Sequence, residues 1–387
     1  MAYLNVVKRE YKRFCKRPLV WSVALIIPLT MCLLICLIFS KGSPTNLPVA
    51  VLDNDNSEIS RLLVRYVNTL PSCNVEYRVT SLLEGNQLIN EGKAYALFVI
   101  PKDFEKDIFR LKQPQLVFYY NNQRILIGGI ISKDVNTMVQ TMLVGLDAKM
   151  RSKRGLPMEE AVKQANLIDV NDHIRSNPFF NYQYFLSLIA FGHILQIHMI
   201  LTSLWAIGTE YKLGTAKDWL NTAEGSILTA FLGKLTPYIL IFLILFSILY
   251  LIYFVLLGSP FVGNILAGFL STLLFIIACL SLGAVFMSIN GNFRYGLSNA
   301  AFYVAMGFAF AGVTYPVMAM PLAARMYSAI LPLSYWIQVM IDQSLRNLPY
   351  IYDWKHFAAI LFIMTWGFLA LPRLKKFAYD ETRWYQQ

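Results

Sequence analysis

Long uncharged apolar segments recur along this chain and predict membrane-spanning helices. The first, at residues 19–39, is long enough at about 1.5 Å per residue to cross a hydrocarbon layer of about 30 Å. Similar segments follow at residues 185–207, 235–257, 261–289, 296–320 and, in shorter form, 357–371. Six spans place both termini on one side of the membrane, so the expected fold class is a polytopic α-helical membrane protein with six transmembrane helices.

The first 18 residues combine an apolar stripe with basic positions at helical spacing, and they precede the first transmembrane helix at 19–40. One face carries Tyr3, Leu4, Val7, Tyr11 and Phe14, and the opposite face carries Lys8, Arg9, Lys12, Arg13 and Lys16. Such a pattern predicts an amphipathic helix that lies in the membrane interface on the cytoplasmic side.

Residues 41–180 differ in composition from the apolar segments on either side. Charged residues are frequent, and apolar runs are only as long as a strand. Strands are predicted at 47–53, 73–80, 94–100 and 115–120, and helices at 57–70, 81–91 and 103–111. Alternating strands and helices indicate an extracytoplasmic α/β domain, with a partly parallel sheet, inserted between spans one and two. A longer helix at 125–150 leads back toward an aromatic belt formed by Phe179, Phe180, Tyr182 and Tyr184.

Residues 181–372 hold the predicted helices two to six and two further features. A charged cytoplasmic segment at 208–220 has Gly214 as a break, Thr215 as an N-cap and Trp219 as an apolar anchor, which predicts a short helix along the membrane face. Three prolines interrupt the segment 316–345, and this favours a re-entrant hairpin at the extracytoplasmic mouth. Residues 373–387 form a cytoplasmic tail.

The composition agrees with this topology. Hydrophobic residues make up 56% of the chain, charged residues 15%, and the net charge is +11. The segments predicted to be cytoplasmic hold 14 Lys and Arg against six Asp and Glu, so most of the excess follows the positive-inside rule. It faces anionic lipid and does not indicate a nucleic-acid partner.

Several sequences that resemble catalytic or metal sites lack a required group. A calcium loop that starts at Asp53 needs Gly at position six and Glu at position twelve, where the chain has Glu58 and Val64. A turn with Asp55 or Ser57 as helix cap is the favoured interpretation. The stretch 291–298 approaches a nucleotide-binding GxxxxGK[ST] loop but has Leu297 in place of the lysine. Five cysteines without a CxxC pair predict neither a disulfide framework nor a zinc site, and no metal site is expected.

Polar and small residues within the spans allow more than one interpretation. His193 and His198 are five residues apart and so point in different directions, and with Gln196 they either bond to neighbouring helices or line a pore. A small-residue face on span five serves packing within the chain, a subunit interface or a pore, and it consists of Ser298, Ala301, Ala305, Ala309 and Gly312.

Several stretches in a fixed order carry a family resemblance that covers nearly the whole chain. They are the basic N-terminal helix, VLDNDNSEISRLL, AYALFVIPKDFEKD, EYKLGT at 210–215, LGKLTPY at 232–238, YPVMAMP and LPLSYW. With them the chain resembles the membrane subunit of a type-2 ABC transporter permease, the type V exporter fold. Members commonly have E-R-E-x-G-T where this chain keeps Glu210, Gly214 and Thr215 with Tyr211 and Lys212 between them.

The resemblance implies a permease in the bacterial cytoplasmic membrane. Its aromatic-rich, almost uncharged membrane portion favours amphiphilic or hydrophobic substrates, and the basic residues before the first span and after the last place both termini in the cytoplasm. Its partners would be a second permease chain, in a homodimer or heterodimer, two cytoplasmic ATPase subunits that bind ATP and Mg, membrane lipids and a periplasmic adaptor. The chain itself would be no enzyme and would bind no cofactor. Residues for coupling to the ATPase would be Glu210, Tyr211, Lys212, Gly214, Thr215 and Trp219. Translocation-route residues would be His193, Gln196, Ala301, Ala305 and Ala309. Outer-gate residues would be Tyr315, Pro316, Pro321, Arg325, Pro332 and Tyr335.

Two other function classes remain open at the level of sequence. One is a membrane-anchored sensor or assembly scaffold whose extracytoplasmic domain binds a ligand or partner. The other is a membrane enzyme that acts on lipid, which would require an essential carboxylate or histidine.

Overall fold

The computed structural model describes residues 1–110, 112, 114–123, 125–153, 157, 159–160, 176–177 and 181–384. The chain divides into two compact units. A helical unit contains Met1–Gly42 and the chain from Asn181 onward, and a second unit begins at Ser43 and includes the described residues up to Glu160. Of the predicted aromatic belt, Phe179 and Phe180 lie outside the described residues.

The elements are numbered here in chain order. The helices are α1 (Ala2–Cys15), α2 (Pro18–Phe39), α3 (Glu58–Thr69), α4 (Leu82–Asn90), α5 (Phe104–Phe109), α6 (Ile125–Lys153), α7 (Leu188–Lys212), α8 (Ala216–Thr222), α9 (Ile227–Leu256), α10 (Ile265–Asn290), α11 (Phe293–Ala305), α12 (Gly307–Phe310), α13 (Leu322–Ala329), α14 (Pro332–Ile341) and α15 (Trp354–Tyr379). The strands are β1 (Leu47–Asp53), β2 (Cys73–Arg78), β3 (Ala96–Ile100) and β4 (Val117–Tyr120). Single π-helical turns occur at Ser22–Ile26, Gln183–Ser187, Leu251–Leu256 and Asp342–Arg346.

The second unit is built on a four-stranded sheet in the order β2-β1-β3-β4. Strand β1 pairs in parallel with β2 and β3, whereas β4 runs antiparallel to β3. Successive side chains of a strand point to opposite faces, so β1 contributes Val49 and Val51 to one core and Ala50 and Leu52 to another. The strands lie within the four predicted segments. Strands β1 and β3 are buried on both faces, which explains why these two runs are nearly continuously apolar.

The acidic segment after β1 forms the predicted turn. Asp53 Oδ1 accepts hydrogen bonds from the backbone N–H groups of Asp55 and Asn56, at 3.0 Å each. Ser57 is the N-cap of α3, and its hydroxyl accepts from Ser60 N at 3.1 Å. The carboxylate therefore stabilises a strand-to-helix turn, in agreement with the interpretation that was favoured over a calcium loop.

Helix α10 lies at the centre of the helical unit and packs against α7, α11, α14 and α15. Small residues permit the closest crossings. A Cβ added at Gly283 would lie 2.6 Å from Leu204 N, and one added at Gly367 would lie 2.7 Å from Ser281 O. Ser203 Oγ donates across the first crossing to Leu280 O at 2.5 Å, so polar as well as van der Waals contacts hold these helices together.

Among the described residues, five helical segments are long and apolar enough to cross a membrane: Pro18–Phe39, Leu188–Lys212, Ile227–Leu256, Ile265–Asn290 and Tyr350–Tyr379. The predicted continuous span at 296–320 is not found as such. Its helix begins at Phe293, ends at Ala305 and resumes only as the four-residue α12. Pro316 and Pro321 follow, and because proline lacks an N–H group it cannot extend the ladder. The count of six spans stays a prediction.

Helices α13 and α14 form a hairpin through Ile330 and Leu331. Tyr303 Oη donates to Ile330 O at 2.7 Å, and Gln196 Oε1 accepts from Leu333 N at 3.2 Å. The tip of the hairpin is thus beside the middle of α7, and α14 packs on α7, α10 and α15. This arrangement is compatible with the predicted re-entrant hairpin at 316–345.

Candidate functional site

The junction between α7 and α8 is a sharp turn that the sequence specifies. Gly214 has φ = +67°, which favours glycine because it has no Cβ. Thr215 N donates to Glu210 O at 2.8 Å, as in the closing bond of a Schellman motif. The turn holds the start of α8 beside the last turn of α7.

Thr215 stands at the N-cap position of α8, but its hydroxyl does not cap the helix. Instead, Thr215 Oγ1 donates to Glu210 Oε2 at 2.5 Å. Thr215 therefore occupies the predicted N-cap position, but its hydroxyl bonds to the buried Glu210 carboxylate and not to the backbone of α8.

Glu210 is the acceptor for three cationic side chains. Arg9 reaches both carboxylate oxygens, from Nη1 at 2.7 Å and from Nη2 at 2.9 Å. Arg13 Nη1 and Lys234 Nζ contact Oε1, the latter at 2.7 Å. The Glu210 side chain is fully buried, and a buried carboxylate requires such pairing because its hydration is lost.

Lys234 extends this cluster to a second carboxylate. Its Nζ lies 2.7 Å from Glu10 Oε2, and Glu10 Oε1 accepts a hydrogen bond from Tyr238 Oη at 2.7 Å. The ammonium also lies 5.0 Å from the ring centre of Trp219, within cation–π range. Trp219 in turn donates from Nε1 to Ala230 O at 3.1 Å, so α8 is fixed to α9.

We call the five charged residues Arg9, Glu10, Arg13, Glu210 and Lys234 the charged cluster. It joins α1, α7 and α9, and Thr215 connects it to the start of α8. Burial lowers the pKa of Arg9, but the hydrogen bonds and charge of Glu210 raise it more strongly, and the net shift is upward. The guanidinium therefore remains charged at all physiological pH values.

One face of helix α1 packs against α9. Val6 and Glu10 are buried, and Phe14 packs edge-on against Tyr238 with ring centres 5.9 Å apart. A Cβ at Gly233 would lie 2.8 Å from Val6 Cβ, so glycine permits this approach. The apolar stripe predicted for the membrane interface is thus split, because Phe14 contacts α9 while Leu4 and Tyr11 stay exposed.

The structure separates the six predicted coupling residues by exposure. Glu210, Tyr211 and Trp219 are buried, and Tyr211 Oη donates to Leu374 O of α15 at 3.0 Å. Gly214 and Thr215 are half-buried, and Lys212 is exposed. Half of the predicted set therefore lies in the interior of the helical unit. The residues that the turn and α8 present outward are Lys212, Leu213, Lys217, Asp218 and Asn221.

The predicted translocation residues fall into two groups. His193 and Gln196 flank the break between α11 and α12, since a Cβ at Gly307 would lie 3.2 Å from both His193 Nδ1 and Gln196 Nε2. Neither nitrogen has a hydrogen-bond partner among the described residues. His198 points elsewhere, with Nδ1 2.7 Å from Ile194 O. The remaining candidates, Ala301, Ala305 and Ala309, are exposed on α11 and α12.

The predicted outer-gate residues are spread along the chain that leads into the hairpin. Arg325 Nε donates to Met320 O at 3.0 Å, and Tyr335 Oη donates to Ala329 O at 3.0 Å. Tyr315, Pro316 and Pro321 are exposed, whereas Pro332 is buried at the first turn of α14. These contacts stabilise the two helices of the hairpin, and the residues do not form one compact cluster.

Two residues that complete the charged cluster, Glu10 and Lys234, were not among the predicted site residues. Glu10 is an acidic position within an otherwise basic helix face, and Lys234 lies in the apolar run of α9. A charge inside an apolar helix is expensive unless it is paired. Lys234 was therefore the signal that could have identified the cluster.

Comparison with known proteins identifies the family of this chain. A family model described as ABC-2 family transporter protein matches residues 18–372. The Probable multidrug ABC transporter permease YbhS of Escherichia coli (strain K12) is 26% identical, over 88% of this chain and 88% of that protein. The protein of the same name from Escherichia coli O157:H7 gives the same values. No solved structure matches. The chain belongs to the ABC-2 transporter family and is a multi-pass membrane permease.

Proposed function

We propose that this chain is the transmembrane subunit of an ATP-driven exporter that moves amphiphilic or hydrophobic molecules out across the bacterial cytoplasmic membrane. Alternating access would be driven by a separate ATPase that binds ATP and Mg. The observation that carries the proposal is the position of Glu210, which bonds to residues of α1 and α9 and to Thr215 at the start of α8.

Because the charged cluster connects α8 to several helices, a movement of α8 would move those helices with it. Breaking a buried ion pair leaves an uncompensated charge and costs about 3–5 kcal/mol. A push on α8 is therefore transmitted to the ends of α7 and α9 and to α1 without separating them. Closure of the ATPase dimer would shift the population between inward-open and outward-open conformations through this group of helices.

The ATPase would bind the outward face of the turn and α8, because the charged cluster itself is internal. Both termini would then be cytoplasmic, and the sheet-containing unit would be extracytoplasmic, where a periplasmic adaptor could bind it. A second permease chain, identical or homologous, would pack on the exposed small-residue face of α11, at Ser298, Ala301 and Ala305.

A groove between α2, α7 and α11 supports the substrate class. Its volume is about 170 Å³, and its lining includes Leu19, Val23, Leu201, Trp205 and Leu297. Thr202 also lines it and is buried, with an Oγ1 that has no hydrogen-bond partner among the described residues. An apolar groove with one polar atom suits part of an amphiphilic molecule.

The test is reconstitution of the purified permease with its ATPase in liposomes. Lys217→Glu and Asp218→Lys each reverse one charge on the outward face of α8. We expect each change to reduce binding of the ATPase at least about tenfold, to abolish stimulation of ATP hydrolysis and to stop efflux of a fluorescent amphiphile. The control is Lys376→Glu, which reverses an exposed charge elsewhere on the same predicted side.

Unchanged ATPase binding and efflux in both α8 variants would overturn the coupling role. Binding of the ATPase without efflux of any amphiphilic probe would overturn the substrate class but keep the coupling role.

A further inference from the structure

Two carboxylates and an imidazole meet at the junction between α14 and α15. Asp342 begins the π-helical turn that follows α14, Asp353 directly precedes α15, and His356 lies in its first turn. One ligand atom from each side chain lies within 4.8 Å of the others. The residues are 11 and three positions apart, which is no standard ligand spacing, so the sequence alone does not indicate a site here.

The cluster contains buried polar atoms without partners. Asp353 is fully buried and Asp342 is 5% exposed, so two carboxylates share a region with little solvent. Asp353 Oδ1 and His356 Nδ1 have no hydrogen-bond partner among the described residues. Two adjacent buried carboxylates repel each other, and unpaired buried acceptors cost free energy. A bound cation would remove both penalties.

We propose that Asp342, Asp353 and His356 bind one divalent transition-metal ion of the Zn²⁺ type, with water as the fourth ligand. Imidazole nitrogen and carboxylate oxygen are common Zn²⁺ ligands at bond lengths of about 2.0–2.2 Å. In a tetrahedral site, such ligand atoms are about 3.4 Å apart. The ligand atoms therefore need to approach one another by little more than about 1 Å from their present separation. An imidazole ligand favours this class of ion over Mg²⁺ or Ca²⁺.

The surrounding contacts orient the Asp353 carboxylate and leave its Oδ1 without a partner among the described residues. Gln343 Nε2 donates to Asp353 Oδ2 at 2.7 Å, which fixes the carboxylate and leaves Oδ1 as the oxygen for an ion. Gln343 also accepts from Gly263 N and Asn264 N, at 2.7 and 2.8 Å. Such outer contacts orient ligands in known metal sites. The ion would therefore fasten the end of the hairpin to α15 and to the loop before α10.

Arg346 is the competing cation. Its Nη1 lies 2.7 Å from Asp342 Oδ1, but 54% of its side chain is exposed and it can move away at little cost. Metal binding and this ion pair use the same carboxylate. Removing Arg346 should therefore strengthen metal binding, whereas removing a ligand should abolish it.

The experiment measures Zn²⁺ and Co²⁺ binding to the full chain in detergent, after removal of any affinity tag and treatment with a chelator. We expect one Zn²⁺ per chain by equilibrium dialysis, a rise in unfolding temperature on Zn²⁺ addition, and the visible absorption of four-coordinate Co²⁺. Asp353→Asn and His356→Phe should each weaken Zn²⁺ binding by more than about 100-fold, and Arg346→Ala should strengthen it.

His198→Phe serves as the control, since it removes a histidine that bonds within its own helix. Asp353→Asn keeps the shape of the side chain, so it also reports on folding through its unfolding temperature without metal. Failure of the wild-type chain to bind Zn²⁺ in a one-to-one ratio would overturn the proposal. Equal binding by wild type, Asp353→Asn and His356→Phe would overturn it as well.

Discussion

Lys234 Nζ lies 2.7 Å from Glu210 Oε1, and both side chains are fully buried. The pair joins α9 to α7, and Lys234 continues to Glu10 of α1 at the same distance. A lysine in an apolar helix is costly to bury alone, so its position depends on both carboxylates.

Lys234→Met should destabilise the helical unit strongly. Methionine fills a similar volume but leaves Glu10 without a cation and weakens the pairing of Glu210. The expected loss is about 3–5 kcal/mol of unfolding free energy, measured by thermal and denaturant unfolding in detergent. Lys376→Met, at an exposed position, should change stability by less than about 0.5 kcal/mol.

The double variant Lys234→Met with Glu10→Gln should recover part of that loss. Glutamine removes the unpaired charge at position 10 and can still accept the hydrogen bond from Tyr238. The coupling energy of the double-mutant cycle should be about 0.5–3 kcal/mol. Additive losses would contradict a direct interaction between Lys234 and Glu10.

Helix α1 should separate from α9 when Gly233 acquires a side chain. A Cβ at this position would approach Val6 Cβ to 2.8 Å and Tyr3 O to 3.2 Å. Overpacking of this kind costs about 1–3 kcal/mol, so Gly233→Leu should speed tryptic cleavage after Lys8 and Lys12 about tenfold. Leu232→Ala changes the exposed neighbour and should leave the cleavage rate unchanged. Equal rates in both variants would show that the contact does not hold α1.

The sequence predicted most elements of this fold because their patterns are local. Residues 47–53 form β1 as expected, since an apolar run with flanking turn residues is enough to define a strand. Four of the long apolar segments likewise coincide with helices of spanning length, and the last predicted span lies within a longer helix. The segment 296–320 differed, because hydropathy does not register where a helix ends: α11 stops at Ala305, and Gly312 has φ = +85° after α12.

The candidate site could be predicted only in part. The motif that begins at Glu210 indicated where α8 would lie, but it did not show that Glu210 faces inward. That orientation depends on Arg9 and Lys234, which are 201 and 24 residues away in the chain. Pairing over such separations is a property of tertiary packing, and a single sequence does not contain it.

Cys73 should react slowly with iodoacetamide in the native protein. Burial raises the pKa of its thiol from 9.0 to about 11, and the thiolate is the reactive form. At pH 8 the thiolate fraction is then about 100-fold below that of an ordinary thiol. The exposed Cys15 provides the internal reference, and mass spectrometry measures both rates.

The modification rate of Cys73 and its contribution to stability both depend on pH, in a direction set by its raised pKa. The modification rate of Cys73 should rise about tenfold per pH unit up to about pH 11. The folded thiol binds its proton more tightly than the unfolded one, so its contribution to stability is complete below about pH 9 and is lost as the pH rises toward 11. A Cys73 rate that levels off near pH 9 would contradict the assigned burial. Cys73→Ala identifies the modified peptide.

The packing of the hairpin against α7 depends on Gly192 and Trp336. A Cβ at Gly192 would lie 2.2 Å from Trp336 Cζ3. The indole cannot easily move, because it stacks on Phe275 with ring centres 4.9 Å apart and donates from Nε1 to Thr272 Oγ1 at 3.1 Å. Gly192→Ala should therefore cost about 1–3 kcal/mol of stability, measured by thermal unfolding in detergent.

Trp336→Phe should rescue Gly192→Ala. The smaller ring leaves room for the new methyl group, so the double variant should lose less stability than the sum of the two single changes. Ala323→Gly, at an exposed position of α13, is the control for a small change on the other helix of the hairpin. If Trp336→Phe and Gly192→Ala destabilise additively, the hairpin does not pack on α7 through these two residues.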